Sequence, residues 1–383
     1  MAGLYIHIPF CESRCIYCGF YSTTSLNMRD EYIKALGKEM ELRPIEKALG
    51  EETTIETIYL GGGTPSQLTP EQLSRLFEHI QTQYGEHIGK HPEITMECNP
   101  DDITPQLCSA IAQLPINRIS MGAQTFDNER LRFLHRRHNA EEVTQAVNML
   151  RGIGIKNISI DMMFGFPSES LDKWKQDVEK AISLDVEHIS AYSLMYEEST
   201  ALYKMLEQEK VSEIDEDTYR QMYETLIDLL TQAGYEHYEI SNFARKGFRS
   251  RHNSSYWNET PYIGIGAAAH SYSRKPVVTR SWNISNIRTY IEKIKQGELP
   301  SEQELLQIDT RFNDLITTAL RTCEGINLRM AEKEFGEDIY EGMLKEAGKH
   351  IQLGLMQIKD GRLSLTRKGL YISDDIMSDF MIV

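Results

Sequence analysis

Three cysteines lie close together near the start of the sequence, at Cys11, Cys15 and Cys18. Thiolates with this C-x3-C-x2-C spacing can bind three irons of one [4Fe–4S] cluster from a single loop. With no fourth cysteine beside them, one iron stays open to another ligand, which indicates chemistry or ligand binding as well as electron storage. The alternatives are a chance grouping, or half of a zinc site that would need a second ligand pair such as C-x2-C or H-x3-H.

The other three cysteines, Cys98, Cys108 and Cys323, are single and widely separated. They do not form such a pair, and we expect them to be ordinary buried thiols. Six cysteines without a secretory signal indicate reduced thiols in a reducing compartment, where an oxygen-sensitive cluster survives.

Composition and charge narrow the classes of function. The chain has 383 residues, 40% apolar and 26% charged, as expected for a globular protein with one large and one smaller domain, or two of middling size. The formal net charge of −16 disfavours a nucleic-acid partner, because binding to phosphates uses many uncompensated Lys and Arg. No segment has the length and apolarity of a membrane span, and the N-terminus lacks a signal-peptide pattern, so we expect a cytoplasmic protein.

The first two-thirds of the sequence alternate short β-rich segments with amphipathic helical ones. Helix starts are predicted at Asn27, at Thr69 with a capping box, and at Asn139. Six β-α units in sequence predict a parallel sheet with helices outside, and polar residues at the strand ends favour a partial barrel over a doubly wound sheet. The predicted strands are Leu4–Ile8, Thr57–Leu60, Ile94–Glu97, Arg118–Gly122, Ile158–Phe164 and His188–Leu194.

The last third follows a different pattern. A long helix is predicted over Asp217–Ala233, and the tail after about Ser301 reads as helices followed by a hairpin whose turn is Asp360-Gly361. Helices followed by a hairpin predict a winged-helix-like module.

A glycine run and several polar residues fall at the predicted strand ends. Gly61-Gly62-Gly63-Thr64-Pro65 follows the second strand, and three glycines let a ligand approach the main chain. Glu97, Gln124 and Asp161 lie on or after later strands, and Arg136 falls in the next helix. Together such groups can hydrogen-bond the hydroxyls, amine and carboxylate of one ligand, whereas each alone is as well explained as a polar residue closing a strand.

The segment Tyr5-Ile-His-Ile-Pro-Phe-Cys11 with its cysteine spacing resembles the radical S-adenosylmethionine (SAM) superfamily. The similar branch is that of oxygen-independent coproporphyrinogen III oxidases and their heme-chaperone (HemW-like) relatives, and the likeness runs from Tyr5 to the C-terminal hairpin. It implies an α/β fold: a partial (β/α)6 TIM-type barrel with a smaller C-terminal helical, winged-helix-like domain. It also implies that SAM binds the open iron and contacts these positions: Tyr5, Tyr17, Gly62, Gly63, Thr64, Glu97, Gln124, Arg136 and Asp161.

Two departures separate the sequence from the oxidases in this branch. The oxidases have another cysteine where Phe20 stands here, and a segment of several dozen residues before their cluster motif, whereas Cys11 is near the first residue here. Both departures are shared with the heme-chaperone group, as is the H-N-x-x-Y-W sequence His252–Trp257. In that group this sequence is a heme-binding signature, so the resemblance implies that His252 binds heme; by itself, a histidine beside aromatics is usually packed or on the surface.

The loop before His252 carries Arg245, Lys246, Arg249 and Arg251 with no acid among them, and we expect these cations to be available for heme propionates. The usual alternative is a solvated basic loop.

The function implied by the resemblance is that of a heme chaperone that binds heme and hands it to an acceptor protein, with a [4Fe–4S] cluster and SAM as cofactors. The alternative is an oxygen-independent coproporphyrinogen III oxidase or a related SAM-consuming porphyrin-modifying enzyme. Further expected partners are membrane respiratory proteins in transient contact and a second copy in a homodimer; nucleic acid is not expected. The predicted domains are 1–240 for the barrel, 241–300 for a connecting region with the heme motif, and 301–383 for the C-terminal domain.

Overall fold

The computed structural model describes residues 1–382; the last residue of the third predicted domain, Val383, lies outside the described residues. Six parallel strands pair side by side in chain order, each joined to the next by a crossover that contains helices. The prediction of an α/β partial barrel of six β-α units is confirmed. The six strands are β1 (Ala2–Ile8), β2 (Ile55–Gly62), β3 (Ile88–Cys98), β4 (Arg118–Gln124), β5 (Asn157–Phe164) and β6 (His188–Ser193).

Helices cover the outer face of these strands and bury an apolar core against it. Alternate residues of β1 show the pattern: Leu4, Ile6 and Ile8 point to this core and are fully buried. The helices in this part of the chain are α1 (Arg29–Leu42), α2 (Ile45–Ala48), α3 (Pro70–Tyr84), α4 (Pro105–Ile111), α5 (Asn128–Phe133), α6 (Ala140–Gly152), α7 (Leu171–Ser183), α8 (Ala201–Glu207) and α9 (Glu216–Gln232).

Two of the three predicted helix starts are confirmed. Thr69 and Asn139 each form a capping box at the first turn of α3 and α6. The start predicted at Asn27 is wrong, because a short 3-10 turn over Leu26–Met28 precedes α1 and Met28 takes the cap position. The long helix predicted over Asp217–Ala233 is α9.

The sheet continues beyond both ends of the six-stranded array. On the β6 side two antiparallel strands follow, and on the β1 side one parallel and three antiparallel strands follow, which makes this a sheet of twelve strands. The region predicted as a connector is therefore largely part of the sheet. The added strands are β7 (Glu236–Glu239), β8 (Asn242–Ala244), β9 (Tyr262–Ile265), β10 (His270–Ser273), β11 (Thr279–Asn283) and β12 (Ser301–Leu305).

Two helices accompany these added strands. α10 (Arg251–Trp257) carries the H-N-x-x-Y-W sequence, and Ser250 caps its first turn. α11 (Ile287–Lys295) packs beside α1 on the outer face.

The C-terminal part has an apolar core of its own around Phe312, Ile316 and Leu363. The predicted hairpin is confirmed, with Asp360 and Gly361 at φ of 52° and 73° in the turn that an Asp-Gly pair favours. The elements are β13 (Ile326–Asn327), β14 (Met356–Lys359), β15 (Arg362–Leu365), α12 (Ile308–Ala319), α13 (Leu328–Phe335), α14 (Glu337–Gln352), α15 (Arg367–Leu370) and α16 (Ser373–Asp379). The three predicted domain boundaries stay a prediction.

Candidate functional site

The three clustered cysteines lie in the loop that leaves β1, which we call the cluster loop (residues 9–23). Backbone hydrogen bonds between Cys11 and Thr23 and between Thr23 and Pro9 close its base, at 3.0 and 2.7 Å. Ile16, between the cysteines, is buried in a small apolar cluster with Leu134 and other residues, and this fixes the middle of the loop. All three thiols are partly exposed and free.

The surroundings of these thiols suit a metal cluster. Sγ of Cys11 lies 3.5 Å from the Thr64 hydroxyl, and Sγ of Cys15 lies 3.6 Å from Nη1 of Arg136. Three cysteine thiols on one loop are a donor set that fits a [4Fe–4S] cluster with one open iron. A structural zinc site would need a fourth protein ligand.

The other three cysteines lie outside the cluster loop and differ from one another in burial. Cys98 and Cys108 are buried, as expected, but Cys323 is exposed, so the prediction of a buried thiol is wrong there. Cys323 follows α12 in a turn, where its sulfur accepts a hydrogen bond from Arg249 at 3.5 Å.

The glycine run packs directly against β1 and the start of the cluster loop. Gly62 has a φ of +112°, and a Cβ there would lie 2.5 Å from the His7 ring. A Cβ at Gly63 would lie 2.6 Å from the carbonyl carbon of Pro9. Only glycine permits this close approach, which brings the backbone of the run beside the cysteines.

Glu97 links the glycine run to the inner face of β2. Its carboxylate accepts hydrogen bonds from the Tyr59 hydroxyl at 2.7 Å and from the Gly62 amide at 3.1 Å. Burial raises the pKa of Glu97 to about 7 despite these donors. The carboxyl group can therefore change its protonation state near neutral pH.

Arg136 ties the end of β4 to the cluster loop. Its Nη2 donates to the Asn99 side chain and to the Gly122 carbonyl, each at 2.7 Å, while Nη1 faces Cys15. A Cβ at Gly122 would lie 2.7 Å from the Gln124 amide nitrogen and 3.0 Å from Arg136, so these two side chains adjoin. Gln124 itself has a positive φ of 64°, a strained conformation of the kind that recurs at binding sites.

Asp161 lies on the inner face of β5. Ser120 donates to its carboxylate at 3.3 Å, and burial raises its pKa. Burial raises the pKa of Tyr17; the nearby charge of Arg136 opposes this rise, and Cys15 adds to it. The structure therefore brings the residues of the predicted SAM site to one concave face, beside the cluster loop; their individual contacts with SAM stay a prediction.

Arg118, a charged residue inside the barrel, was not among the site residues predicted from the sequence. Arg118 is 1% exposed, and its Nε and one Nη have no hydrogen-bond partner within the described chain. An unpartnered buried guanidinium favours anionic neighbours, and its charge offsets part of the rise that burial causes in the pKa values of Glu97 and Asp161. The sequence could have indicated this position, because side chains alternate along a strand and Arg118 therefore faces the same side of β4 as Ser120 and Gly122.

The H-N-x-x-Y-W helix α10 packs at the amino ends of β1 and β2. The His252 ring is 1% exposed and hydrogen-bonds the Thr57 hydroxyl through Nδ1 and the Tyr256 hydroxyl through Nε2, both at 2.8 Å. Burial, followed by the charge of Arg118, lowers the pKa of His252 to about 3, so the ring is neutral. Iron binding through Nε2 requires the Tyr256 hydroxyl to move aside, and the role of His252 in heme binding stays a prediction.

Most cations of the preceding loop are not free. Arg249 pairs with Glu236 at 2.5 Å and with Glu324, and Arg251 pairs with Glu56 at 2.8 Å. Arg245 pairs with Asp185 at 3.2 Å. The expectation of available cations is therefore wrong for these three arginines, because acids distant in sequence neutralise them.

Two family models match the chain. The model of the radical SAM superfamily matches residues 5–181, and that of the HemN C-terminal domain matches residues 306–372. A Bacillus subtilis (strain 168) protein named heme chaperone HemW is 32% identical over 100% of this chain and 99% of that protein. This chain belongs to the HemW family of radical SAM proteins. Family membership implies a [4Fe–4S] cluster and SAM as cofactors.

Other comparisons agree with this membership. A Lactococcus lactis protein of the HemW family is 33% identical over 99% of this chain and 97% of its own length. The solved structure of the Escherichia coli coproporphyrinogen III oxidase HemN superimposes with a TM-score of 0.82 over 99% of this chain and 89% of that one. At 22% identity this likeness shows a shared fold. None of the helices within residues 1–382 is long and apolar enough to cross a membrane.

Proposed function

We propose that this chain is a heme chaperone, which binds heme and passes it to an acceptor protein while carrying a [4Fe–4S] cluster and SAM. The observation that carries the proposal is the full-length similarity to the B. subtilis and L. lactis proteins that are named heme chaperones. The residue at the position of the oxidases' additional cysteine, Phe20, is 73% exposed on the cluster loop.

The cysteines of the cluster loop are the proposed ligands of the iron–sulfur cluster. When bound, a cluster held by three thiolates supplies one iron with an open position. Thr64 contacts the sulfur of Cys11 and Arg136 contacts that of Cys15, and these contacts orient the proposed ligands. The half-exposed position of the cysteines leaves room for a second molecule beside them.

The proposed SAM site is the concave face beside this loop. Its support is the convergence of the glycine backbone, two carboxylates and a guanidinium near the cysteines. In this proposal Glu97 and Asp161 accept hydrogen bonds from the ligand, Arg136 and Gln124 fix the edge of the site, and the glycine run provides main-chain contact.

The proposed partners beyond heme are an acceptor protein, including membrane respiratory proteins in transient contact, and a second copy of this chain. An apolar surface near the cluster loop supports contact with an acceptor: Phe20 is 73% and Met195 61% exposed, and their loops adjoin where Gly19 contacts Glu197. The homodimer rests on the resemblance alone. The net charge of −16 continues to disfavour nucleic acid.

One anaerobic experiment on the full-length, cluster-reconstituted protein tests the proposed function. Heme is titrated and the heme-loaded protein is mixed with a heme-free b-type cytochrome; a parallel sample receives coproporphyrinogen III, SAM and reductant. We expect saturable heme binding, heme transfer that is faster than from heme-loaded serum albumin, and no decarboxylated porphyrin product. Steady formation of protoporphyrinogen IX, or failure to bind heme, would contradict the proposal.

A further inference from the structure

A cavity of about 480 Å³ opens where the cluster loop meets strands β9 and β10. Its volume lies within the roughly 300–1,000 Å³ of small-molecule and cofactor sites. Tyr5 and His7 on the inner face of β1 line it, and Tyr5 is also a residue of the predicted SAM site. Gly19 and Phe20 of the cluster loop form one side of it.

The walls of this cavity are mainly aromatic. Four tyrosines line it, namely Tyr5, Tyr21, Tyr256 and Tyr262, and Phe20 stands at its edge. Tyr256 and Tyr262 pack edge to face at 4.8 Å between ring centroids. Aromatic side chains of this kind give a large apolar contact area with polar hydroxyl tips, which suits a flat apolar ring that carries polar substituents.

Two histidines, His7 and His270, line the cavity, and they differ in whether their ring nitrogens are hydrogen-bonded. His7 is engaged at both, with Tyr5 at 3.0 Å and the Tyr21 carbonyl at 3.1 Å. His270 is exposed, and neither of its ring nitrogens makes a hydrogen bond to any of residues 1–382. His252, behind the cavity wall, is engaged at both nitrogens. Of these three imidazoles, only that of His270 has ring nitrogens without a hydrogen-bond partner among residues 1–382, and His270 lines the cavity.

The position of His270 is held by the turn before it. Gly266 and Ala268 adopt positive φ of 111° and 62°, and Ala268 lines the cavity. A left-handed conformation is costly for alanine and persists only where the surrounding structure enforces it. Trp282, opposite on β11, packs beside the imidazole at 6.2 Å between centroids.

We propose that heme binds in this cavity with His270 as an axial ligand of its iron. The inference rests on the proposed heme-chaperone function and names the site that this function uses. In this arrangement the H-N-x-x-Y-W sequence contributes through Tyr256, which forms part of the wall. His252 is a positioning residue, since its Nε2 holds the Tyr256 hydroxyl.

The test uses two ligands, heme and the iron-free ring protoporphyrin IX, with the full-length cluster-containing protein under anaerobic conditions. We expect His270→Ala to weaken heme binding at least tenfold and to change the Soret spectrum, while protoporphyrin IX affinity stays within twofold. Added imidazole should restore the heme spectrum of this variant. Ser285→Trp, which fills the cavity from its rim, should weaken both ligands at least tenfold.

Two further variants separate local from general effects. His91→Ala changes an exposed histidine on β3 outside the cavity, and it should behave like the unaltered protein. His252→Ala should keep the Soret maximum of the unaltered protein even if its affinity for heme falls.

The results test the proposed heme site at His270 separately from the proposed heme-chaperone function. If the unaltered protein binds heme but His270→Ala leaves its spectrum and affinity unchanged, the inference is wrong and the chaperone function stands. Unchanged binding of both ligands by Ser285→Trp would also overturn the inference. If the unaltered protein takes up no heme, the function and the inference fail together.

Discussion

His252 stacks on Tyr59 with their ring centroids 4.9 Å apart, and the hydroxyl of Tyr59 donates to Glu97. The heme motif is thus two contacts from a carboxylate of the proposed SAM site. Tyr5 lies beside both rings, at 6.2 Å from Tyr59 and 6.4 Å from His252. Because protein interiors are close-packed, a displacement of any one of these rings should displace the rings next to it.

The cluster ligands can be tested by removing the central cysteine. Anaerobically reconstituted protein should hold close to four irons per chain, as a [4Fe–4S] cluster requires, and Cys15→Ala should lose them. Cys323→Ala, which removes an exposed thiol outside the cluster loop, is the matched control and should keep the iron. A full complement of iron in Cys15→Ala would refute the ligand assignment.

Glu97 should make stability depend on pH. Its pKa is about 7 in the folded protein and near 4.5 when unfolded, so the group favours the folded state below pH 4.5 and loses this contribution as pH rises through 7. The loss amounts to about 3 kcal/mol. Glu97→Gln should remove it, so that the variant gains stability relative to the unaltered protein between pH 4.5 and 7.5.

The measurement is the urea midpoint of the protein without SAM across this pH range. Glu52→Gln, at an exposed turn residue, serves as the control and should follow the unaltered protein. Parallel curves for Glu97→Gln and the unaltered protein would show that the carboxyl group ionises normally.

His252 should stabilise the fold at neutral pH and weaken it in acid. His252→Ala removes a buried ring and leaves the hydroxyls of Thr57 and Tyr256 without this partner, which should lower the free energy of unfolding by roughly 2–4 kcal/mol. Because its pKa is lowered to about 3, the histidine's contribution is complete above pH 6.5 and is lost as pH falls towards 3.

Urea denaturation at pH 7.5 and at pH 4.5 measures both effects. The difference between His252→Ala and the unaltered protein should shrink in acid, whereas a difference independent of pH would assign the whole effect to packing.

Arg249 should contribute little to heme binding. Its two acidic partners neutralise it, so Arg249→Ala should leave heme affinity within twofold and lower stability by less than about 1 kcal/mol. The measurement is the heme titration together with the urea midpoint. A fivefold or greater loss of heme affinity would restore the original expectation that this loop binds propionates.

Local patterns predicted much of the fold. The parallel strands follow from short apolar segments between helices, and the turn at Asp360-Gly361 follows from the backbone conformations that this pair prefers. The start of α1 was missed, because an Asn can favour a short turn as readily as a cap.

Contacts between distant parts of the chain were not predictable in the same way. Thr57 and His252 are 195 residues apart, and nothing local to either residue indicates that they meet. Glu324, one of the partners of Arg249, and Glu56, the partner of Arg251, are likewise remote in sequence. The free imidazole of His270 depends on what the fold leaves unpaired, which becomes apparent only once the three-dimensional partners are known.

Tyr5 belongs at once to the proposed SAM site and to the wall of the cavity beside His270. Because the Tyr5 side chain has one orientation at a time, a ligand in the SAM site that reorients this ring changes the affinity of the cavity for heme. Thermodynamic linkage requires the two effects to be equal in size, whichever ligand binds first. SAM should therefore change the affinity for heme by the same factor by which heme changes the affinity for SAM.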